Sequence, residues 1–241
     1  MVIRTVLFDF SGTLFRIEST RDWLRAVLRE RGHVVAEKEL DECAVRLEAA
    51  GALPGGAQPR RIPDHLATPW AVRDTSMETH RAAYTGLARE VRLPDDGMPD
   101  DGMYDALYDR HMTARAWRPY PDAAEVLHGL RERGISVGVV SNIGWDLRPV
   151  FRDHGVDPLI DTYTLSFEHG VQKPDVRLFR AACEGLGRDP REVLMVGDDR
   201  RADGGAADLG CAVLFVDHLP VAERPAGLRP VLEAVDPRDA P

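Results

Sequence analysis

An aspartate that ends an apolar run is placed to act as a nucleophile. Asp9 follows Val6, Leu7 and Phe8 and precedes Phe10, Ser11, Gly12, Thr13 and Leu14, so a carboxylate sits where a buried strand breaks into a glycine-containing turn. Open parallel sheets present their chemistry outside the carboxyl ends of their strands. A carboxylate there can attack phosphorus or carbon to form a covalent intermediate. Two later segments repeat the arrangement: the apolar run 135–140 leads into Ser141 and Asn142, and the run 193–196 leads into Gly197, Asp198 and Asp199, with Asp203 close behind. A loop between them carries Gly170, Lys173 and Pro174. Of 31 Lys and Arg residues only Lys38 and Lys173 are lysine, so position 173 marks a site that takes a compact ammonium rather than a planar guanidinium.

In this order and spacing the four segments resemble the four motifs of the haloacid dehalogenase-like (HAD) hydrolase superfamily, spread from residue 6 to about residue 216. The resemblance implies an α/β fold, a Rossmann-like parallel sheet, with an inserted α-helical cap domain. It also implies an aspartyl covalent intermediate and, in most members, Mg2+-dependent phosphate hydrolysis. Carried onto this chain, it makes Asp9 the nucleophile and Lys173 its ion-pair partner beside the transferring group. Mg2+ would be held by Asp9, the Ser11 main-chain carbonyl and Asp198, with Asp199 and Asp203 tuning the site. Gly12, Thr13, Ser141 and Asn142 would donate to phosphate oxygens, and Lys173 would neutralise them. The implied substrate is a small phosphorylated metabolite.

One position departs from the pattern. Most phosphatases of the superfamily carry a second aspartate two residues after the nucleophile, which protonates the leaving oxygen and later activates water. Here that position is Ser11, whose hydroxyl is too weak an acid or base near neutral pH. Proton transfer by a positioned side chain contributes ~10²–10⁴-fold, so the sequence predicts a slow enzyme whose phosphoenzyme accumulates unless another group substitutes. Two other readings follow: a catalytically weak protein that binds a phosphorylated ligand or partner, and a dehalogenase-like C–X hydrolase. Dehalogenase chemistry needs no metal, whereas Asp198, Asp199 and Asp203 are all present. Phosphatase chemistry is therefore the leading expectation.

The elements that must position these residues follow from periodicity. After the first strand, 18–31, 36–50, 75–91 and 101–113 read as amphipathic helices. The β/α alternation resumes near Arg118, with a helix over 121–133 closed by Gly134. The expected division is therefore a core of residues 1–15 and 118–241 and a helical cap of residues 16–117. Within the cap, 51–73 contains six Pro or Gly residues beyond Gly51, which exclude a continuous helix. This long connection also carries Arg60, Arg61, His65, Trp70 and Arg73, and lids are often built on such loops. Beyond Ser141 the pattern predicts helices over 145–154, 175–186 and 202–209 and strands over 162–167, 191–196 and 212–216. The Pro-rich tail is expected to lie outside the core or fray.

The 241 residues suffice for one elaborated domain or two small ones. With 31 basic against 40 acidic side chains the net charge is −9, which disfavours nonspecific binding to nucleic acid or anionic membrane. No apolar run approaches the ~20 residues of a membrane span, and the N-terminus enters a strand without a signal-peptide pattern. Cytoplasmic residence is the default expectation; oligomeric state is open. Cys43, Cys183 and Cys211 lack any Cys-x-x-Cys spacing and are expected to be buried, reduced thiols.

Overall fold

The computed structural model describes residues 2–94 and 101–235. Met1 and 236–241, assigned above to the core, and 95–100, assigned to the cap, lie outside the described residues. Five parallel strands form the central sheet: β1 (Thr5–Phe8), β4 (Ser136–Ser141), β5 (Thr162–Leu165), β6 (Val193–Gly197) and β7 (Ala212–Phe215), in the order β5-β4-β1-β6-β7. β1 is buried at every residue, as a central parallel strand covered on both faces must be. Its register pairs Phe8 with Val139 on β4 and with Val196 on β6. With neighbouring strands ~4.8 Å apart, that register brings Asp9, the end of β4 and Asp198 to one edge of the sheet.

A short antiparallel ribbon, β2 (Phe15–Ile17) with β3 (Trp117–Pro119), carries the chain out of the sheet and back. Sequence periodicity missed it because three residues show no alternation. Between its strands lie α1 (Thr20–Glu30), α2 (Glu37–Ala50), α3 (Ala67–Ala71), α4 (Met77–Arg89) and α5 (Asp101–His111). α1 buries Thr20, Trp23, Leu24, Val27 and Leu28, the i, i+3, i+4, i+7, i+8 stripe of a helix facing a core. Trp23 Nε1 donates to Leu107 O at 2.8 Å and fixes α1 to α5. Ser19 and Ser76 cap α1 and α4 by accepting from the third amide beyond, which sets their starts inside the expected spans.

Other boundaries move for local reasons. The connection from Gly51 is irregular as far as Pro63 and then folds into 3-10 turns flanking α3. Helix α7 (Arg148–Asp153) begins later than predicted, after a segment whose Asn142, Ile143 and Trp145 line the cavity at the end of β4. β5 stops at Leu165, and Ser166 turns into α8 (Ser166–His169), because the Ser166 hydroxyl accepts from Ile143 N at 2.8 Å. α6 (Ala123–Glu132) and α9 (Val176–Gly185) cover the sheet as expected, while 203–209 is 3-10 rather than α. All three cysteines are free and buried. No described helix is long and apolar enough to cross a membrane.

The tail departs most from expectation. Leu228 and Val231, the latter on α10 (Pro230–Ala234), are fully buried. Asp122 Oδ2 accepts from Leu228 N at 2.7 Å and from Arg229 N at 3.2 Å. The proline-rich composition concealed a segment that completes the core. Leu228→Ala is expected to lower unfolding free energy by about 2–5 kcal/mol, measured as a fall in the urea midpoint. A loss below about 0.5 kcal/mol would return the tail to the surface.

Candidate active site

Lys173 is 4% exposed and lies between two carboxylates. Its Nζ donates to Asp9 Oδ1 at 2.8 Å, to Asp203 Oδ1 at 2.6 Å and to Val140 O at 3.0 Å, so all three of its protons have acceptors. Asn142 holds the lysine's backbone from both sides: Nδ2 donates to Lys173 O at 2.9 Å and Oδ1 accepts from Lys173 N at 2.6 Å. Asp9, 7% exposed, is anchored by its own amide to Val196 O at 2.9 Å. Asp9, Asp198 and Asp203 each offer an oxygen within 4.8 Å of the others.

This crowding sets the charges. Burial pushes Asp9 up to about 7 against the pull of Lys173, with Asp203 and Asp198 adding to the rise. Burial likewise raises Asp203, again opposed by Lys173. Asp198 goes the other way: burial works against its charge, but the hydrogen bond and charge of His218 hold it low. Burial also opposes the Lys173 ammonium, and Asp203 and Asp9 more than offset it.

Gly12, at φ +84°, makes the turn after Asp9, and a Cβ there would lie 2.4 Å from Asp198 Oδ2 and from His218 Nδ1. Thr13 is fully buried, and its hydroxyl donates to Asp198 Oδ1 at 3.2 Å. The Asn142 side chain is likewise committed to Lys173. Asp199 stands apart from the three-carboxylate cluster, its Oδ1 accepting from Arg201 N at 2.8 Å and Ala202 N at 2.9 Å as a turn cap. Ser11 Oγ donates to Gly55 O at 3.4 Å, a contact with the helical block.

Asp9, Ser11, Ser141, Asn142, Lys173, Asp198 and Asp199 line one cavity of about 150 Å3. Its other walls were not singled out as site residues. The helical block contributes Trp70, Arg73, Asp74, His80 and Tyr84 with residues 53–58, and the core adds Trp145 and His218. Trp70 and Arg73 had a signal, their clustering in the 51–73 connection; His218 had a weak one, following strand β7. Arg224 had none. It is 4% exposed, donates through Nη1 to Gly12 O at 2.6 Å and through Nη2 to Thr13 O, and stacks over Tyr120 at 3.2 Å. The tail thus braces the turn after Asp9.

Lys173→Ala leaves buried carboxylates unpaired, so a loss of about 3–5 kcal/mol is expected. Lys38→Ala, at a side chain 89% exposed, should change stability by less than about 0.5 kcal/mol. Equal losses in denaturant titration would remove Lys173 from its central place. A second expectation concerns pH. The Asp9 pKa is raised in the fold, so this group's contribution to stability is full below about pH 4 and lost as pH rises through about 7. In metal-free protein the melting temperature of Asp9→Asn should therefore gain on wild type between pH 4 and pH 8; a constant offset would mean that Asp9 is not desolvated.

Residues 3–208 match the haloacid dehalogenase-like hydrolase family. Among curated relatives, (S)-2-haloacid dehalogenase 4A of Burkholderia cepacia is 29% identical over 86% of this chain and 80% of its own length. Phosphoserine phosphatase of Thermus thermophilus is 35% identical over 48% of this chain, and the match spans only 44% of that enzyme. The fold resembles L-2-haloacid dehalogenase from Xanthobacter autotrophicus with chloropropionic acid covalently bound, at TM-score 0.62 and 20% identity over 98% and 85% of the two chains. It also resembles a predicted phosphoglycolate phosphatase from Haemophilus somnus, at TM-score 0.61 and 18% identity over 97% and 98%. The order of the four strand-end segments, the buried Asp9–Lys173 pair and the match over most of the sequence place the chain in the haloacid dehalogenase-like hydrolase family.

Proposed function

We propose that this hydrolase is a Mg2+-dependent phosphatase that acts on a small phosphorylated metabolite through an aspartyl phosphate at Asp9. The observation that carries the reading is the convergence of Asp9, Asp198 and Asp203 within 4.8 Å in a site with one lysine. Three carboxylates around one ammonium leave an excess of negative charge beside the nucleophile, which disfavours the approach of a phosphate. A divalent cation resolves that imbalance, and hard carboxylate oxygens suit Mg2+, which takes few protein ligands and keeps several waters. Asp9 and Asp198, with the Ser11 carbonyl, would hold the ion; Asp203 is bound to Lys173 and to Asp199 N at 3.0 Å. When bound, Mg2+ supplies positive charge at the phosphate oxygens.

The chain's own groups supply the rest. An Asp9 carboxylate oxygen attacks phosphorus, and the bond from phosphorus to the leaving oxygen breaks. Lys173 keeps Asp9 oriented and offsets charge as the phosphoryl group transfers. Ser141 lines the same wall, placed to meet a phosphate oxygen. The helical block, residues 16–117, acts as the cap that chooses the substrate.

A second reading is favoured by one observation, the similarity to (S)-2-haloacid dehalogenase 4A over most of both chains. In that reaction Asp9 would attack carbon and expel halide. Assaying phosphate release from phosphomonoesters beside halide release from 2-haloacids separates the two. The expected result is phosphate release that chelator abolishes and Asp9→Asn lacks. Mg2+ should also raise the melting temperature of wild type and leave Asp198→Asn unmoved. Halide release undiminished by chelator would replace the phosphatase reading with the second.

A further inference from the structure

Resting on the phosphatase reading, we propose that Asp74, delivered by the helical block, is the general acid and base that position 11 lacks. The cavity wall offers few alternatives. Arg73 does not release its proton near neutral pH. Burial pushes the Tyr84 phenol up to about 12 and holds His80 well below its ordinary value, so neither exchanges protons readily at neutral pH. Asp199 caps the turn at Arg201 and Ala202, and His218 is bonded to Asp198.

Asp74 remains, and its setting is that of a proton-transfer group. It lines the same cavity as Asp9 and Lys173 and is 3% exposed. Its backbone is docked onto two core loops of the site: Ser166 Oγ donates to Asp74 O at 2.5 Å, and Asp74 N donates to Gln172 Oε1 at 3.3 Å. Gln172 precedes Lys173, and Ser166 also accepts from Ile143 N, next to Asn142. The carboxylate itself is loosely held, with Arg73 Nε at 3.5 Å and His80 Nε2 at 3.7 Å. Its position is therefore fixed while its oxygens stay available. Burial raises its pKa against the charges of Arg73 and Lys173, the direction a carboxyl needs to carry a proton near neutral pH.

The reaction balances in two halves. In the first, Asp9 forms the acyl phosphate bond, the ester oxygen leaves phosphorus, and the Asp74 carboxyl gives that oxygen its proton. In the second, the Asp74 carboxylate takes a proton from water as the water oxygen attacks phosphorus. Asp9 leaves as carboxylate, inorganic phosphate is released, and Asp74 is again protonated.

The test is Asp74→Asn, which keeps the side-chain shape and the docked backbone, assayed with Mg2+ on aryl and alkyl phosphates of graded leaving-group acidity. Turnover is expected to fall about 10²-fold or more on alkyl esters and less on nitrophenyl esters in the first half-reaction. On a nitrophenyl ester the variant should give a stoichiometric burst of nitrophenol before a slow steady state. Asp74→Ala should regain turnover with added formate. Variant losses that are equal across leaving groups, with no burst and no rescue, would overturn the role of Asp74 while wild-type turnover upholds the phosphatase. Absence of wild-type phosphate release from every ester would instead overturn the phosphatase reading, and this proposal with it.

Discussion

One buried ammonium determines what the sheet edge can be. At an effective dielectric of 20, two like charges 4 Å apart repel by ~4 kcal/mol, so Asp9, Asp198 and Asp203 cannot crowd together without a cation among them. Lys173 meets this requirement for two of the three, and Val140 O takes its remaining proton. His218 faces the third. An arginine could not substitute, because its planar fork would not direct single bonds to two carboxylates and a carbonyl from one atom. A lysine is thus a geometric requirement at this position.

The rest of the core serves to bring that ammonium to Asp9. Lys173 lies in a loop after α8, beyond the strand next to β4, and would be free to swing without Asn142, which fixes both its N–H and its carbonyl. Asn142 is placed in turn by β4, whose register with β1 is set by Phe8 opposite Val139. Beneath the site, Phe10 packs on Trp117 at 4.4 Å and on Phe15 at 5.3 Å, so the residue after the nucleophile is an apolar anchor. Catalytic carboxylate and core aromatic alternate in one turn, and a shift of one residue would exchange them.

The sequence discloses what is local. Apolar runs that end in Asp or Ser-Asn identify strand ends because burial and the abrupt change to polar residues occur within six positions. Helices α1 and α4 are legible through their apolar stripes, while the serine caps that set their starts emerge only in the fold. Partnerships that depend on the closed fold are not legible. Thr13 looks like a phosphate ligand until Asp198, 185 residues away, takes its hydroxyl. Arg224 reads as a surface cation in a proline-rich tail, yet it spans 212 residues to reach Gly12 O. Asp74 is one of 40 acidic residues, and nothing in its neighbours announces that Ser166 and Gln172 will seat it in the wall of the cavity that Asp9 also lines.

Position 11 joins these threads. Ser11 Oγ lies 3.4 Å from Gly55 O, and a Cβ on Gly55 would come within 2.9 Å of that oxygen and 2.7 Å of Trp117. The helical block therefore approaches the core so closely that only a short side chain at 11 and a bare backbone at 55 fit together. An aspartate at 11 would press a carboxylate against the Gly55 carbonyl, with two acceptors facing and no donor between them. The same close approach carries Ala71 O to Gln172 Nε2 at 3.0 Å and Asp74 O to Ser166 Oγ at 2.5 Å. Short residues at 11 and 55 thus let the block dock where Asp74 lines the cavity, so the serine at 11 and the placement of residue 74 belong to a single packing arrangement.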